Sequence, residues 1–469
     1  MVDRLSALDA SFLYMESATT PMHVGGVAIF QEPDGAPFDH EVLLRLIGER
    51  IVLTPRFRQR IRSVPGRLAG PVWVDDAEFD PEYHVRRSGL PRPGTDAQLR
   101  DLVARIMSRP LDRRRPLWEM YLIEGLQDNR FAILTKTHHA MVDGLGAVDI
   151  GQVLLDASPE PRATQPDAWQ PEPAPSQVTL VADAVCDVVG RLVRSPSRIA
   201  QQTREVIEDV GAAAAELARH GAGVLAAALS VARAAPPGPL NGGIGEARRF
   251  ATARASVADL RAVRRAHGGT VNDVLLAVVA GALRTFLLSR GEPLDDRTTV
   301  RALVPVSVRT PGDSTPGNQI APVVCELPVG EADPVIRLQR VRREMDTAKA
   351  SGQLLGARSI IGLAGFAPPT LHLLGSRAAS ELSRRVYNVL VTNVPGPQFP
   401  LYAAGARMLA AYPVAPLAKG QALAVGVTSY DGGVFFGLNA DREAMPDLDL
   451  IAVMLTDALA ELVALSPQP

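Results

Sequence analysis

Apolar residues recur along this chain with two different periods, and each period predicts an element. Alternation or a short unbroken apolar run marks strands over Val24–Phe30, Val72–Val74, Tyr83–Val85, Met120–Ile123 and Arg130–Thr137. A spacing near 3.6 residues predicts a helix over Asp39–Ile51, with Val42, Leu43, Leu46 and Ile47 inward. A second helix over Ala97–Met107 turns Leu99, Leu102, Val103 and Ile106 to one side. A third, from Leu145 to Leu155, puts Ala147, Ile150, Gly151 and Leu154 on one face.

From Ala157 to Gln177 the pattern breaks off. Pro159, Pro161, Pro166, Pro171, Pro173 and Pro175 punctuate a run without apolar periodicity, so an extended, mobile linker is expected. Alanine-rich helical sequence follows, from Thr179 to about Ala235. It carries Arg191, Arg194, Arg198 and Arg204 and an apolar run, Ala222–Ala232, too short to span a bilayer. These helices either pack on the protein or lay a basic amphipathic face on a membrane or lipid droplet.

Pro236-Pro-Gly-Pro239 opens the second half. Thr270 caps a helix, with Asp273 in capping-box position and apolar residues on most sides from Val271 to Phe286, so this helix is buried. Val300–Val308 reads as a strand in which Pro305 calls for an edge or crossover position. Asn388–Asn393 is another strand, ended by a rigid Val394-Pro-Gly-Pro397 turn. Ala422–Ser429 and Val434–Leu438 form a hairpin, and Asp447–Leu465 is a closing helix. The fold class is therefore mixed α/β (α+β). Its parts are an N-terminal domain over 1–156, a linker with connecting helices over 157–240, and a C-terminal domain over 241–469.

At 469 residues the chain exceeds one ordinary core, which supports two domains. A formal net charge of −2 gives no reason to expect nucleic-acid binding. Two cysteines, Cys186 and Cys325, lie far apart without metal-ligand spacing, which suits a reducing cytosol. The first residues lack the basic start and apolar core of a signal peptide, and Pro368-Pro369 breaks the apolar Ser359–Ser376 stretch. Gly-x-Ser-x-Gly, phosphate-loop and dinucleotide fingerprints are missing, which removes the ordinary hydrolase, kinase and dehydrogenase readings.

The candidate chemistry lies in Lys136-Thr-His-His-Ala-Met-Val-Asp-Gly144, where a strand gives way to a turn. Adjacent strand residues point to opposite faces, so His138 and His139 cannot easily converge on one ion. The arrangement suits a single general base at the end of a rigid strand, one imidazole facing the packed side of the sheet while the other can face a cavity. Asp143 would orient the turn, and Gly144 would take backbone angles that other residues avoid. One arginine of Thr54-Pro-Arg-Phe-Arg-Gln-Arg60 could turn inward to pair with Asp143, or all three could form a solvated face. Asn272, in the first turn of a buried helix, is either a local cap or an amide donor to a reacting carbonyl oxygen.

Six stretches together carry a resemblance: Leu5–Tyr14, Pro21-Met-His-Val-Gly25, Pro116-Leu-Trp-Glu119, the histidine motif, Asn272–Ala277 and Asn393-Val-Pro-Gly-Pro397. In this order they resemble the bacterial wax ester synthase/diacylglycerol acyltransferases, a branch of the CoA-dependent acyltransferase superfamily. Thr392 stands where that family usually has serine. The resemblance implies two chloramphenicol-acetyltransferase-like mixed-sheet domains with a tunnel between them. It implies transfer of a long-chain acyl group from acyl-CoA to diacylglycerol or a fatty alcohol, with His139 as general base, His138 in support and no acyl-enzyme. No metal and no cofactor beyond acyl-CoA as co-substrate are implied. Pro116, Leu117, Trp118, Asn393, Pro395 and Gly396 are the implied substrate-binding residues, with Trp118 lining the channel. A cytoplasmic location, peripheral to the inner membrane face or lipid droplets, goes with such substrates. Two other readings stay open: an acyltransferase using a polyketide-type alcohol or carrier-bound acyl group, and a non-catalytic droplet-coating or acyl-CoA-binding homologue. Acceptor, chain length and oligomeric state are not legible.

Overall fold

The computed structural model describes residues 3–33, 37–142, 153–164, 167–193, 235–307, 320–350 and 386–466. Helix α1 (Ala7–Met15) starts at Ser6, whose hydroxyl accepts the Asp9 N–H at 3.1 Å, and leads into strand β1 (His23–Gln31). Helix α2 (His40–Arg50) opens on the Asp39 carboxylate and buries Leu43, Leu46 and Ile47, as its periodicity predicts. Strands β2 (Gln59–Arg62) and β3 (Val72–Asp75) form a separate antiparallel pair. The strand expected over Tyr83–Val85 is wrong at its start. Asp80 caps and Pro81 begins a helical turn, α3 (Pro81–His84), and the chain extends only in β4 (Val85–Gly89). Helix α4 (Asp96–Met107) carries a full Thr95/Gln98 capping box. Strands β5 (Trp118–Leu126) and β6 (Arg130–His138) form a hairpin, and β6 runs directly into one turn of helix, α5 (His139–Val142).

Of the helix expected over 145–155, residues up to 152 lie outside the described residues; Val153 and Leu154 are buried. The proline-rich segment is extended but is tied down rather than loose. Arg58 donates to Asp167, Asp75 accepts the Glu172 N–H at 3.0 Å, and Arg62 donates to the Pro175 carbonyl at 2.8 Å. Helix α6 (Gln177–Val193) then sets Leu180 and Ala184 against Val64, Val72 and Val74. The Arg194, Arg198 and Arg204 positions and the 222–232 run lie outside the described residues, as does the Arg191 side chain.

The second half runs through β7 (Arg248–Ser256), α7 (Val257–His267), α8 (Val271–Ser289), β8 (Val300–Ser307), β9 (Ile320–Leu327) and α9 (Pro334–Ala350). It continues with β10 (Val389–Pro395), β11 (Tyr402–Ala403), β12 (Ala406–Val414), β13 (Leu423–Tyr430), β14 (Gly433–Asp441) and α10 (Leu448–Ala464). The Thr270/Asp273 capping box forms as expected, and α8 is packed against α9 and α10 at the centre of the second core. By length and composition alone α8 could cross a membrane, but its apolar surface is spent inside this core. The hairpin of β13 and β14 turns on Asp431-Gly432, both at positive φ (43° and 79°), the geometry a two-residue primed turn requires.

Two six-stranded mixed sheets result, ordered β11-β12-β1-β6-β5-β4 and β7-β14-β13-β10-β8-β9. Pro305 lies beyond the short β8–β10 pairing, which involves only Ala302 and Leu303 of β8, and it faces Pro322 of β9. A proline there removes no bond from a two-sided ladder. The sequence-based boundary needs one correction: residues 402–414, assigned to the C-terminal domain, belong to the first sheet. Without β12, strand β1 would be an open edge with an unpaired row of backbone groups. With it, Gly25 to Phe30 pair with residues between Met408 and Val414. The same strand crosses the second sheet so closely that a Cβ on Gly437 would stand 1.8 Å from the Pro413 carbonyl oxygen. Phe250, Tyr430 and Phe435 of the second half complete the first core.

Candidate active site

Alternation along β6 separates the two histidines as the sequence predicts. His138 is 1% exposed, whereas His139, the first residue past the strand, is half-buried. The His139 N–H donates to the Met22 carbonyl at 2.8 Å, and its ring stacks on Phe12 with centroids 4.0 Å apart. Backbone and ring are thus both fixed, one by β1's lead-in and one by α1.

His138 sits in a buried polar cluster. Its Nδ1 accepts the Ala140 N–H at 3.0 Å, so Nε2 carries the proton and points toward Glu16 Oε2, 3.7 Å away. His23, opposite His138 in the β1–β6 ladder, places Nε2 3.4 Å from Glu16 Oε1. The Met22 N–H donates to Glu16 at 3.3 Å, and Arg113 Nε donates to it at 3.0 Å. Burial works against charge on Glu16. The two imidazole edges and the Arg113 guanidinium more than offset it, holding the carboxyl well below the usual carboxylate range. Burial pushes His23 down to about 4 and lowers His138 as well, with Glu16 opposing it in both. At neutral pH the cluster is one carboxylate between two neutral imidazoles.

Sequence reasoning misses Glu16 and Arg113 and reaches His23 only within the Pro21–Gly25 motif. One signal was available. Lys136 and His138 occupy alternate positions of a strand otherwise read as buried, so one interior face had to supply anions. Lys136 is fully buried and donates to the Ile106 and Arg109 carbonyls at 3.2 and 2.6 Å, with Glu119 Oε2 3.6 Å away. Burial lowers its pKa to about 8.

Pro116, Leu117 and Trp118, implied as substrate-binding with Trp118 at a channel, lead into β5. All three are buried, Leu117 and Trp118 at 1% and 0% exposure. The Trp118 indole N–H is spent on the Phe57 carbonyl at 2.8 Å, and its ring stacks on His84 at 4.6 Å. A large aromatic with its only donor satisfied by backbone is core. The residue of that motif with polar reach is Glu119, which meets Arg86 at 3.1 Å and accepts from the Tyr121 hydroxyl at 2.7 Å.

Asn272 and Asn393, more than a hundred residues apart, come together. The Asn393 amide donates to Asn272 Oδ1 at 3.3 Å, a bond that does not use the Asn272 NH2 group, which among the described residues has no acceptor. Asn272 sits partly buried in the first turn of α8, at the positive end of its dipole. Pro395 is exposed at the end of β10. Gly396 passes so close to β13 that a Cβ would lie 2.4 Å from the Ser429 carbonyl oxygen. Asp143 and Gly144 lie outside the described residues. The three arginines weighed as partners of Asp143 meet other carboxylates: Arg56 with Asp3 at 2.8 Å, Arg58 with Asp167, and Arg60 with Asp76 at 3.8 Å. Among the described residues no three His, Cys, Asp or Glu side chains gather as metal ligands. Arg248 of β7 donates to the Thr19 carbonyl, so the segment between Glu16 and His23 is clamped by the second half.

Residues 5–275 match the family model for the wax ester synthase/diacylglycerol acyltransferase catalytic domain, and residues 316–463 match that for the C-terminal domain of the same proteins. A probable diacylglycerol O-acyltransferase of Mycobacterium tuberculosis is 35% identical over 470 residues, covering 98% of this chain and 99% of its own. A second from that species is 35% identical over 469 residues, covering 99% and 96%. The wax ester synthase/diacylglycerol acyltransferase from Marinobacter aquaeolei VT8 superimposes with a TM-score of 0.66 at 31% identity, covering 98% of each chain. The starter condensation domain of rhizomide synthetase, at 14% identity and a TM-score of 0.56 over 100% of this chain and 96% of that one, shares the fold alone. With both family models matched in order and relatives aligned end to end, the chain belongs to the wax ester synthase/diacylglycerol acyltransferase family.

Proposed function

We propose that the protein is an O-acyltransferase that moves a long-chain acyl group from acyl-CoA to the hydroxyl of diacylglycerol or of a fatty alcohol, with His139 as general base. The observation that carries this reading is the division between adjacent imidazoles. His138 is committed to a buried carboxylate, while His139 is half-exposed, held by its backbone N–H and stacked on Phe12. One strand end thus presents a single oriented base, which is what deprotonating an alcohol requires.

In this reading both substrates meet in a passage between the two halves. His139 takes the hydroxyl proton as the oxygen attacks the thioester carbonyl, the tetrahedral intermediate collapses, and the C–S bond breaks. The proton held by His139 then passes to the CoA thiolate. No covalent acyl-enzyme forms, and no group beyond acyl-CoA is needed. The Asn272 NH2, oriented by Asn393, supplies a donor for the developing oxyanion at the positive end of α8. Asn272→Ala is expected to lower kcat about 10²-fold, near the lower end for loss of an oxyanion donor, with KM for acyl-CoA little changed in steady-state assays.

The names of the mycobacterial relatives favour diacylglycerol as acceptor and triacylglycerol as product. Both acceptors reside in membranes or droplets, so the enzyme works from the cytoplasm at such a surface. Radiolabelled palmitoyl-CoA offered with diacylglycerol or with hexadecanol separately tests the reading. Labelled triacylglycerol, with less wax ester, is expected. Free CoA release without either ester would remove it.

A further inference from the structure

Away from the histidines, the edge of the first sheet and the last turn of α4 enclose a cleft of about 330 Å³. Arg86, Arg87 and Ser88 line it from β4, Tyr121 from β5, and Arg105 and Arg109 from α4 and the residues just after it, over an apolar base of Leu102 and Ile106. Its charge is unbalanced. Arg86 meets Glu119 at 3.1 Å and Arg87 meets Glu124 at 2.5 Å, but Arg105 and Arg109 have no carboxylate partner among the described residues. Behind them lies the buried Lys136 ammonium, so the carboxylates of Glu119 and Glu124 face four guanidinium groups and an amine. A helix C-terminus ordinarily repels anions. Here the Lys136 ammonium sits against that end, donating to the Ile106 carbonyl in the last turn and to the Arg109 carbonyl just beyond it, which sets a positive charge against the dipole. Arg86 is held in place by its Nε donating to the Tyr83 carbonyl at 3.1 Å, with its guanidinium carbon 4.8 Å from the Tyr83 ring centroid and 6.0 Å from that of Tyr121, so little freedom remains to be lost on binding.

We propose that this cleft binds a phosphorylated organic anion, with Arg86, Arg105 and Arg109 as the guanidinium ligands of its phosphate groups and Ser88 and Tyr121 at its rim. Planar guanidinium forks match phosphate oxygens in pairs, and several forks around one concavity suit a diphosphate or a nucleoside bisphosphate better than a single carboxylate. The cleft is too large for an inorganic phosphate alone, with liquid water taking roughly 30 Å³ per molecule. Two sources share this chemistry: the phosphate-bearing end of acyl-CoA, or a separate phosphorylated metabolite. Only the first rests on the acyltransferase reading.

Calorimetric titration of the full-length protein with adenosine 3′,5′-bisphosphate and with pyrophosphate tests the site without any turnover. The double variant Arg105→Glu/Arg109→Glu changes two exposed side chains and spares the core. Arg264→Glu/Arg265→Glu on α7 makes the same change in net charge elsewhere. The wild type and the α7 variant are expected to bind at least one of the two anions, and the cleft variant to lose 10-fold or more. If the ligand is the end of acyl-CoA, KM for palmitoyl-CoA rises by a similar factor while kcat and the acceptor KM hold. If it is a separate metabolite, KM holds and anion binding alone is lost. Equal affinity in wild type and cleft variant, an equal loss in the α7 variant, or no binding of either anion to the wild type overturns the proposal.

Discussion

His139→Ala is expected to slow ester formation by about 10²–10⁴-fold, the usual contribution of a positioned general base, while leaving the thermal midpoint close to that of the wild type. The asymmetry of the histidine pair dictates both halves of this expectation. His139 is half-buried, and what it gives the fold is a backbone N–H bond to Met22, which alanine keeps, and one ring contact to Phe12. Losing such a stack costs about 0.5–1.5 kcal/mol. His138 reverses the order of effects. It is enclosed, accepts from the Ala140 N–H and faces Glu16, so His138→Ala strips a partner from a buried carboxylate and destabilises by about 1–3 kcal/mol. Single-turnover ester yield and thermal melts on both variants separate the roles. Full ester formation by His139→Ala would mean that the base lies elsewhere.

What could be read in advance was whatever is set by neighbours in the chain. The Thr270/Asp273 box, the Asp431-Gly432 hairpin and the inward face of α2 each follow from a few consecutive residues, and each stands in the structure as expected. The opposed placement of His138 and His139 belongs here too, because strand alternation is local. What escaped depends on partners chosen over long separations. The pairing of β12 with β1 satisfies an edge, and nothing in Ala406–Val414 says which edge. The Trp118 indole N–H finds its acceptor on Phe57, 61 residues earlier, a partner that no local pattern marks. The proline-rich segment looked loose because side chains that would tie it down, Arg58, Arg62 and Asp75, lie about a hundred residues earlier. Glu16, one residue past the end of α1, carries no mark in its neighbours of what it will meet. It becomes visible only through distant partners, with His23, Arg113 and His138 converging on its carboxylate.

Acidification is expected to destabilise the protein between about pH 6.5 and pH 4, through the Glu16 cluster. Burial holds His23 down to about 4, against 6.5 for a free side chain. Above pH 6.5 both folded and unfolded chains keep it neutral, and its contribution is fully present. Below that, the unfolded chain takes up a proton that the folded chain refuses, and stability falls until the folded value is reached, by on the order of 3 kcal/mol in all. His138 is displaced the same way and adds to the loss. Glu16, held low by its partners, begins to add its own loss as pH falls below about 4.5, where the unfolded chain protonates. Urea midpoints taken in half-unit pH steps report the slope. His23→Gln, neutral at every pH, should flatten much of the limb between 6.5 and 4, whereas parallel curves for variant and wild type would show that the cluster is not the acid-sensitive element. Glu16→Gln separates positioning from packing. It keeps the shape but gives Arg113 and the two imidazoles a weaker acceptor, so about 1.5–3 kcal/mol should be lost at pH 7. Because Glu16 also takes the Met22 N–H while the Met22 carbonyl holds His139, kcat should fall in the same variant with KM for acyl-CoA unchanged. A loss of stability without any loss of kcat would confine Glu16 to holding the fold, and leave His139 to be oriented by Phe12 and the strand alone.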